Sequence, residues 1–477
     1  MFRKVLIANR GEIACRIARA CRALGAIPVF VYSEADSAAP YIRIALASMQ
    51  SGARGRDAVA GGEAICIGPA AAADSYLNEG AVLRAAAEME CQALHPGYGF
   101  LSENARFAQR CEDAGIAFVG PRPRHIRLMG DKAIARRTME QAGLPVMPGS
   151  SGELASLEEA LAAAENVGYP VLLKASAGGG GKGMRLVENA ASMREQFDAA
   201  RAEAERAFGN SGLYMEHFFD GARHIEFQVL ADGYGKVIHL GERECSIQRN
   251  RQKLIEEAPA FGFDDVKRAK FGGMLCEVLR KVGYLNAGTV EFLQDRSGKL
   301  YFMEMNTRIQ VEHPVTEMVT GVDLVQWQLR IAAGERLSLN QDDIMWRGAA
   351  IECRLNAEDP AAAFRPSPGI VKQFEIGLNA GHSGGDSALR VESFIEPGSA
   401  IPSYYDSMVA KVIAWGKDRD GARRTLLDAL KQSRIEGIAT TKTLHESILA
   451  HPAFAKGNYS CQFLSQYPEL LNGTHQS

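Results

Sequence analysis

Residues 1–119 alternate short apolar runs with amphipathic stretches, and this alternation restricts the fold more than any other feature of the chain. Lys4–Ala8 reads as a strand, and Ile13, Ile17, Ala20, Cys21 and Leu24 then fall at helical spacing closed by Gly25. Further apolar runs follow at Pro28–Tyr32, Ala64–Ile67, Gln92–Leu94 and Ile116–Val119. Strands separated by helices predict a doubly wound parallel sheet. The first turn, Ala8-Asn9-Arg10-Gly11-Glu12-Ile13, lacks the GxGxxG that lets a pyrophosphate approach a helix N-terminus, which argues against a nicotinamide or flavin site.

At about 150 residues per domain, 477 residues suggest about three domains. Asp131 to about Asn166 is helical in pattern, broken at Leu144-Pro145-Val146-Met147-Pro148-Gly149. Strands are predicted at Tyr169–Ala175 and Arg185–Val187, joined by Ser176-Ala177-Gly178-Gly179-Gly180-Gly181-Lys182-Gly183-Met184. More strands follow at His224–Leu230, Lys236–Leu240, Asn286–Leu293 and Lys299–Met305, then a helix near Asp323–Ala333. Gly348–Ile435 reads as a third, α+β unit with a helix around Asp420–Leu430.

Composition removes several function classes. With 54 Lys plus Arg against 57 Asp plus Glu, the net charge is −3, and no local basic face points to nucleic acid. No run approaches the ~18 apolar residues of a membrane span, and the N-terminus enters a strand pattern with no cleavable signal, so a cytoplasmic location is expected. The nine cysteines are scattered without a CxxC pair and read as reduced thiols, Cys245 among them.

Three segments carry chemistry. The tetraglycine loop exposes backbone amides that could close over a polyphosphate; Lys182 is followed by Gly183 instead of Ser or Thr, so it is no Walker A loop and fits a hinged flap over a nucleotide. Glu291 and Glu304 sit inside apolar strands, where each needs a counter-charge. With Asn306 they could hold Mg²⁺, or each could form a structural salt bridge; spacing does not separate the two. In Thr307-Arg308-Ile309-Gln310-Val311-Glu312-His313-Pro314, extended geometry would set Arg308, Gln310 and Glu312 on one side, a cation, an amide and a carboxylate that could bind a small oxyanion and take its proton. Arg243-Glu244-Cys245, Gln248–Lys253 and Cys353-Arg354-Leu355-Asn356 read from composition as solvated or salt-bridged surface, Met129–Lys132 as a helix start, and His95 as a hydrogen-bonded turn residue.

Read together, IANRGEIA at 7–14, HPGYGFLSEN at 95–104, RLMGDK at 127–132, KASAGGGGKGM at 174–184, EMNTRIQVEHPVTE at 304–317, ECRLNAEDP at 352–360 and YYDSMVAK at 404–411 resemble the biotin carboxylases, an ATP-grasp family, nearly end to end. The resemblance implies an N-terminal α/β domain at 1–119, an ATP-grasp domain at 120–345 with a mobile lid at about 146–219, a C-terminal α+β domain at 346–460 and a tail at 461–477. It implies ATP- and bicarbonate-dependent carboxylation of biotin held on a biotin carboxyl carrier protein, a carboxyltransferase partner and a homodimer. Lys132, Lys174, Gly180, Gly181, Glu216, His217, Phe218, Phe219, His224, Gln248 and Arg251 would surround ATP. Glu291, Glu304 and Asn306 would hold Mg²⁺ or Mn²⁺. Lys253, Arg308, Gln310 and Val311 would hold bicarbonate, Glu312 would be the base, Arg354 would stabilise the biotin enolate, and Tyr98 would line the biotin site.

The chain departs from the family pattern in about 16 additional residues between Tyr41 and Cys66, predicted as a surface loop or disorder, in Asn250 and Arg251, and in His217 where a lysine is usual. No Met-Lys-Met biotin-attachment tripeptide is present, so biotin is expected on another polypeptide. Two other readings are an ATP-grasp ligase that couples an acyl-phosphate to an amine, and a catalytically silent homologue serving as a scaffold.

Overall fold

The computed structural model describes residues 1–176, 183–377 and 385–472. Strands β1 (Lys4–Ile7), β2 (Ile27–Ser33), β3 (Glu63–Gly68), β4 (Ala93–His95) and β5 (Ala117–Phe118) form a parallel sheet in the order β3-β2-β1-β4-β5. That order reverses between β1 and β4, and a ligand crevice opens beyond the strand ends at such a point. Helix α1 (Gly11–Ala23) buries Ile13, Ala14, Ile17, Ala18 and Cys21 against the sheet, the face its spacing predicts.

The segment predicted as a surface loop is helical instead: α2 (Pro40–Gln50) continues past Leu46, and α3 (Arg56–Gly61) follows. Pro40 sits at the first helical position, where its missing N–H costs nothing, and Tyr41, Ile42 and Ala45 form a buried stripe. The Ala, Leu, Met and Gln that follow favour helix, and Ala58 tucks inward from α3.

Strands β6 (Val171–Ala175) and β7 (Met184–Val187) pair as the predicted hairpin, in the register Val171↔Val187 to Lys174↔Met184, and β8 (Leu213–His217) completes a small sheet. Ala177–Lys182, including Gly180 and Gly181, lies outside the described residues.

The third sheet is antiparallel and eight-stranded. It comprises β9 (Arg223–Ala231), β10 (Val237–Arg249), β11 (Gln252–Ala258), β12 (Asn286–Gln294), β13 (Leu300–Asn306), β14 (Ala349–Asn356), β15 (Ser387–Ser393) and β16 (Met408–Gly416), in the order β13-β12-β9-β10-β11-β14-β16-β15. The strands before and after residue 345 therefore share one sheet, joined where β11 meets β14.

Candidate functional site

Asn9, at the end of β1, donates from Nδ2 to the carbonyls of Pro96 and Tyr98, both at 2.7 Å. The two loops of the switch point are thereby tied together. Gly97 has φ +64° and a Cβ there would lie 2.9 Å from Asn9 Nδ2, so only glycine leaves room for this bond. His95, expected in the turn, instead ends β4, and its Nδ1 accepts from the Gly97 N–H of the turn at 3.0 Å. Beyond this corner opens a cavity of about 320 Å³, lined among others by Tyr98, Arg249, Lys253, Val311, Arg354 and Tyr405.

Behind the cavity, the eight-stranded sheet carries a dense set of charges. Lys253 Nζ reaches Glu226 at 2.6 Å, Glu291 at 3.0 Å and Glu312 at 2.5 Å. Arg354 reaches Glu312 Oε2 at 2.8 Å and Glu256 at 2.5 Å. Burial pushes the Glu312 carboxyl up, but Lys253, Arg354 and Arg243 outweigh it and hold Glu312 well below the ordinary carboxylate range. Lys253, equally buried, is driven the other way by Glu226, Glu291 and Glu312 and stays charged.

Residues 307–312 are not extended, as alternation predicted; they form an irregular turn, and Glu312 occupies the N-cap position of α4 (His313–Thr320) without a side-chain cap bond. The three side chains still border one site. Gln310 donates to Glu291 Oε1 at 2.7 Å, and Arg308 bonds Asn306 Oδ1 and Glu103 Oε2, each at 2.8 Å. Val311 presents its carbonyl to Lys411 Nζ at 2.8 Å.

Glu291 and Glu304 are register partners on β12 and β13. Burial and the facing Glu291 push the Glu304 carboxyl up, although Lys132, 3.8 Å away, pulls it down. Glu291 is also raised by burial, yet Lys253 and His224 bring it well below its usual range; His224 Nε2 lies 3.1 Å from it. Two facing carboxylates with incomplete counter-charge fit a hard divalent cation. The ligand atoms of His224, Glu226 and Glu291 also gather within 4.8 Å. Asn306 turns its Nδ2 toward Glu291, at 2.8 Å, and its oxygen toward Arg308.

The other predicted nucleotide residues flank this centre. Gln248 Nε2 is 2.9 Å from His224 Nδ1. Lys174 pairs with Glu216, and His217 Nδ1 lies 2.9 Å from the Gly168 carbonyl. Phe218 donates its N–H to Pro170, Phe219 stacks on Tyr301 at 4.7 Å, and Arg251 touches Met184 from a turn in which Asn250 and Arg251 have φ of 48° and 67°.

Composition placed Arg243 and Glu244 on the surface; both are buried. Arg243 is a hub that donates to Glu226 (2.5 Å), Gln228 (2.8 Å), Gln310 (2.9 Å), Thr316 (3.0 Å) and Thr289 (3.2 Å). Cys353 is wholly buried and Arg354 and Asn356 half-buried on β14, so this segment is not solvated surface either. Sequence reading also missed Glu226, Glu256, Glu352 and Lys411. Their one signal was charge within an otherwise apolar strand, the sign already read at Glu291 and Glu304. Cys245 is buried, which pushes its thiol well above the ordinary value, as a structural thiol requires.

The family model described as the biotin carboxylase N-terminal domain matches residues 1–126, that of the carbamoyl-phosphate synthase L chain ATP-binding domain 131–340, and that of the biotin carboxylase C-terminal domain 352–466. The biotin carboxylase of Nostoc sp. is 50% identical over 465 residues, which cover 98% of this chain and 99% of that one. The chain belongs to the biotin carboxylase family. Among other family members, the 2-oxoglutarate carboxylase small subunit of Hydrogenobacter thermophilus is 46% identical, covering 99% of this chain and 95% of that one. The biotin carboxylase domain dimer of that carboxylase, solved with MgADP, ADP and bicarbonate, superposes with a TM-score of 0.88 at 45% identity, covering 99% of each chain. Biotin carboxylase from Campylobacter jejuni, solved as a β-γ-ATP complex, also gives 0.88, at 42% identity over 98% of this chain and 99% of that one. No helix among the described residues is long and apolar enough to cross a bilayer.

Proposed function

We propose that this family member is the ligase that carboxylates biotin at the expense of ATP and bicarbonate, with biotin presented by a carrier protein and passed on to a carboxyltransferase. The observation that carries this reading is Glu312, kept ionised between Lys253 and Arg354, the two cations that line the cavity in front of it.

Bicarbonate would rest on Lys253, Arg308, Gln310 and the Val311 backbone, and Glu312 would remove its proton. The resulting oxyanion attacks the γ-phosphorus of ATP, forming carboxyphosphate and releasing ADP. Lys132 and Lys174 would meet the phosphates, and Glu216 to Phe219, His224, Gln248 and Arg251 would enclose the base and ribose. Gly180 and Gly181 would belong to the flap, within a lid at about 146–219 of an ATP-grasp unit spanning 120–345. Glu291, Glu304 and, after an amide turn, Asn306 would hold Mg²⁺, which when bound neutralises phosphate charge. Carboxyphosphate breaks down to CO₂ and phosphate; phosphate takes the ureido N1′ proton, and N1′ attacks CO₂. Arg354 would stabilise the enolate oxygen, with Tyr98 packing beside the ring. The dimeric relatives support a homodimer, and the 2-oxoglutarate carboxylase subunit supports work alongside further carboxylase components.

The test is ATP hydrolysis by the purified chain with and without bicarbonate, together with formation of acid-labile carboxybiotin from labelled bicarbonate. Hydrolysis that ignores bicarbonate would overturn the reading.

A further inference from the structure

Two glutamates beneath Arg354 have no part in the steps above. Glu256 on β11 and Glu352 on β14 are direct register partners across an antiparallel pair, so both side chains leave the same face of the sheet, and both are wholly buried. Arg354, two residues on from Glu352, shares that face, and its charge is divided between Glu256 and Glu312. Glu256 has one oxygen 2.5 Å from Arg354, whereas neither oxygen of Glu352 nor the Arg354 Nε finds a hydrogen-bond partner among the described residues.

The charged and titratable groups facing the pair are Arg354 on β14, Lys253 on β11, Glu312 at the head of α4 and Lys411 on β16, with the thiols of Cys245 and Cys353 nearby. Little of that positive charge is free for the pair. Lys253 is held by three other carboxylates, and Lys411 contacts Glu12 at 3.2 Å and the Val311 carbonyl. Burial pushes Glu256 up to about 7 against the pull of Arg354. It pushes Glu352 well above the carboxylate range, with Lys411 pulling down and Glu256 pushing up. Adjacent like charges out of water are relieved when they hold one proton in common.

We propose that Glu256 and Glu352 share a single proton and act as positioning residues, the carboxyl–carboxylate pair holding Arg354 from beneath with its guanidinium facing the cavity. This rests on the functional reading above. The protonated carboxyl donates to its neighbour and supplies the hydrogen bond that Glu352 lacks. Loss of that proton at alkaline pH leaves two negative charges under Arg354 and draws it away from the cavity. Biotin carboxylation then falls, while bicarbonate-dependent ATP hydrolysis without biotin is largely retained.

Two measurements on the full chain test this. An infrared difference spectrum at neutral pH, wild type minus Glu352→Gln, should contain the C=O stretch of a protonated carboxylic acid, and Glu256→Gln should remove the same band. Its absence from wild type overturns the shared proton. In steady-state assays Glu352→Ala should raise the KM for biotin about tenfold and change ATP hydrolysis without biotin less than about threefold. Glu352→Gln, which mimics the protonated acid, should keep the KM near wild type and lose the alkaline limb of the biotin-dependent pH profile. Equal losses in both reactions for Ala and Gln, in variants whose melting temperatures match wild type, would overturn the positioning role. If wild type carboxylates no biotin at all, the functional reading falls, and the infrared comparison still decides the proton.

Discussion

Replacing Lys253 with Met removes the one cation shared by three buried carboxylates. Glu226 keeps Arg243, Glu291 keeps His224, Asn306 and Gln310, and Glu312 keeps Arg354, so the fold retains partners for each. What changes most is the proton affinity of Glu312. Unit charges centred about 4 Å apart, at an effective dielectric constant of about 20, interact by about 4 kcal/mol, equivalent to about three pH units. The Glu312 carboxyl, held well below the ordinary range by Lys253, Arg354 and Arg243, would move up from there, with Arg354 and Arg243 still in place. Wild-type kcat/KM for bicarbonate, followed as coupled ADP release, should therefore show no limb from this base between about pH 6 and 8. The Lys253→Met variant should show the acid limb of this base at higher pH than wild type, on top of a loss of bicarbonate affinity. A variant that is merely slower, with a pH profile of unchanged shape, would refute the idea that Lys253 sets the ionisation of the base.

Three further outcomes are expected. Glu312→Gln should lower bicarbonate-dependent ATP hydrolysis by at least about 100-fold with nucleotide binding preserved, and Arg354→Ala should depress carboxybiotin formation more than ATP hydrolysis; the two are compared in parallel ADP-release and labelled-bicarbonate assays. Arg243→Met should cost about 3–5 kcal/mol, read by denaturant melts, because it leaves Glu226 with Lys253 alone and the Gln310 amide oxygen without its donor, and Glu226→Gln in the same chain should recover part of the loss. Burial lowers His95 to about 3 and His125, His239 and His445 to about 4. These rings are neutral when folded and take protons when unfolded, so their contribution is present above the unfolded value of about 6.5 and is lost as pH falls toward the folded values. Melting temperatures should drop steadily from pH 7 to about 5, with a loss of roughly 1 kcal/mol per histidine per pH unit; a flat profile would contradict this.

Local patterning made the elements readable. The strand and helix at the N-terminus, the β6–β7 hairpin and Asp131 as the N-cap of the helix Lys132–Gln141 are set by residues close in sequence. Glu291 and Glu304 stood out because charge amid apolar residues demands a partner, and Arg308, Gln310 and Glu312 because a cation, an amide and a carboxylate recur at alternate positions, although the turn that brings them together is not the extended run that spacing suggested. Arg243, Glu256, Glu352 and Lys411 were not, because alternation assigns one face of a strand to water. Here both faces of the central strands are covered, so polar residues turn toward partners far along the chain, as Arg243 does to Gln310. The helices between Tyr41 and Glu63 were missed because Gly52, Gly55 and Gly61 weigh toward loop in a composition count, whereas burial of Tyr41, Ile42, Ala45 and Ala58 decides the conformation.

The join between β11 and β14 has a mechanical consequence. Lys253 and Glu256 hang from one side of it and Glu352 and Arg354 from the other, stitched by the ladder from Ile255↔Cys353 to Ala258↔Ala350. The spacing between the groups that would handle bicarbonate and the arginine that would handle biotin is thus a property of hydrogen-bonded backbone, insensitive to movements of the β6–β8 sheet. Cutting the chain near residue 345 should then give no pair of autonomous pieces. Each fragment would carry a raw sheet edge, and the two would recover a working centre only by zipping that edge together.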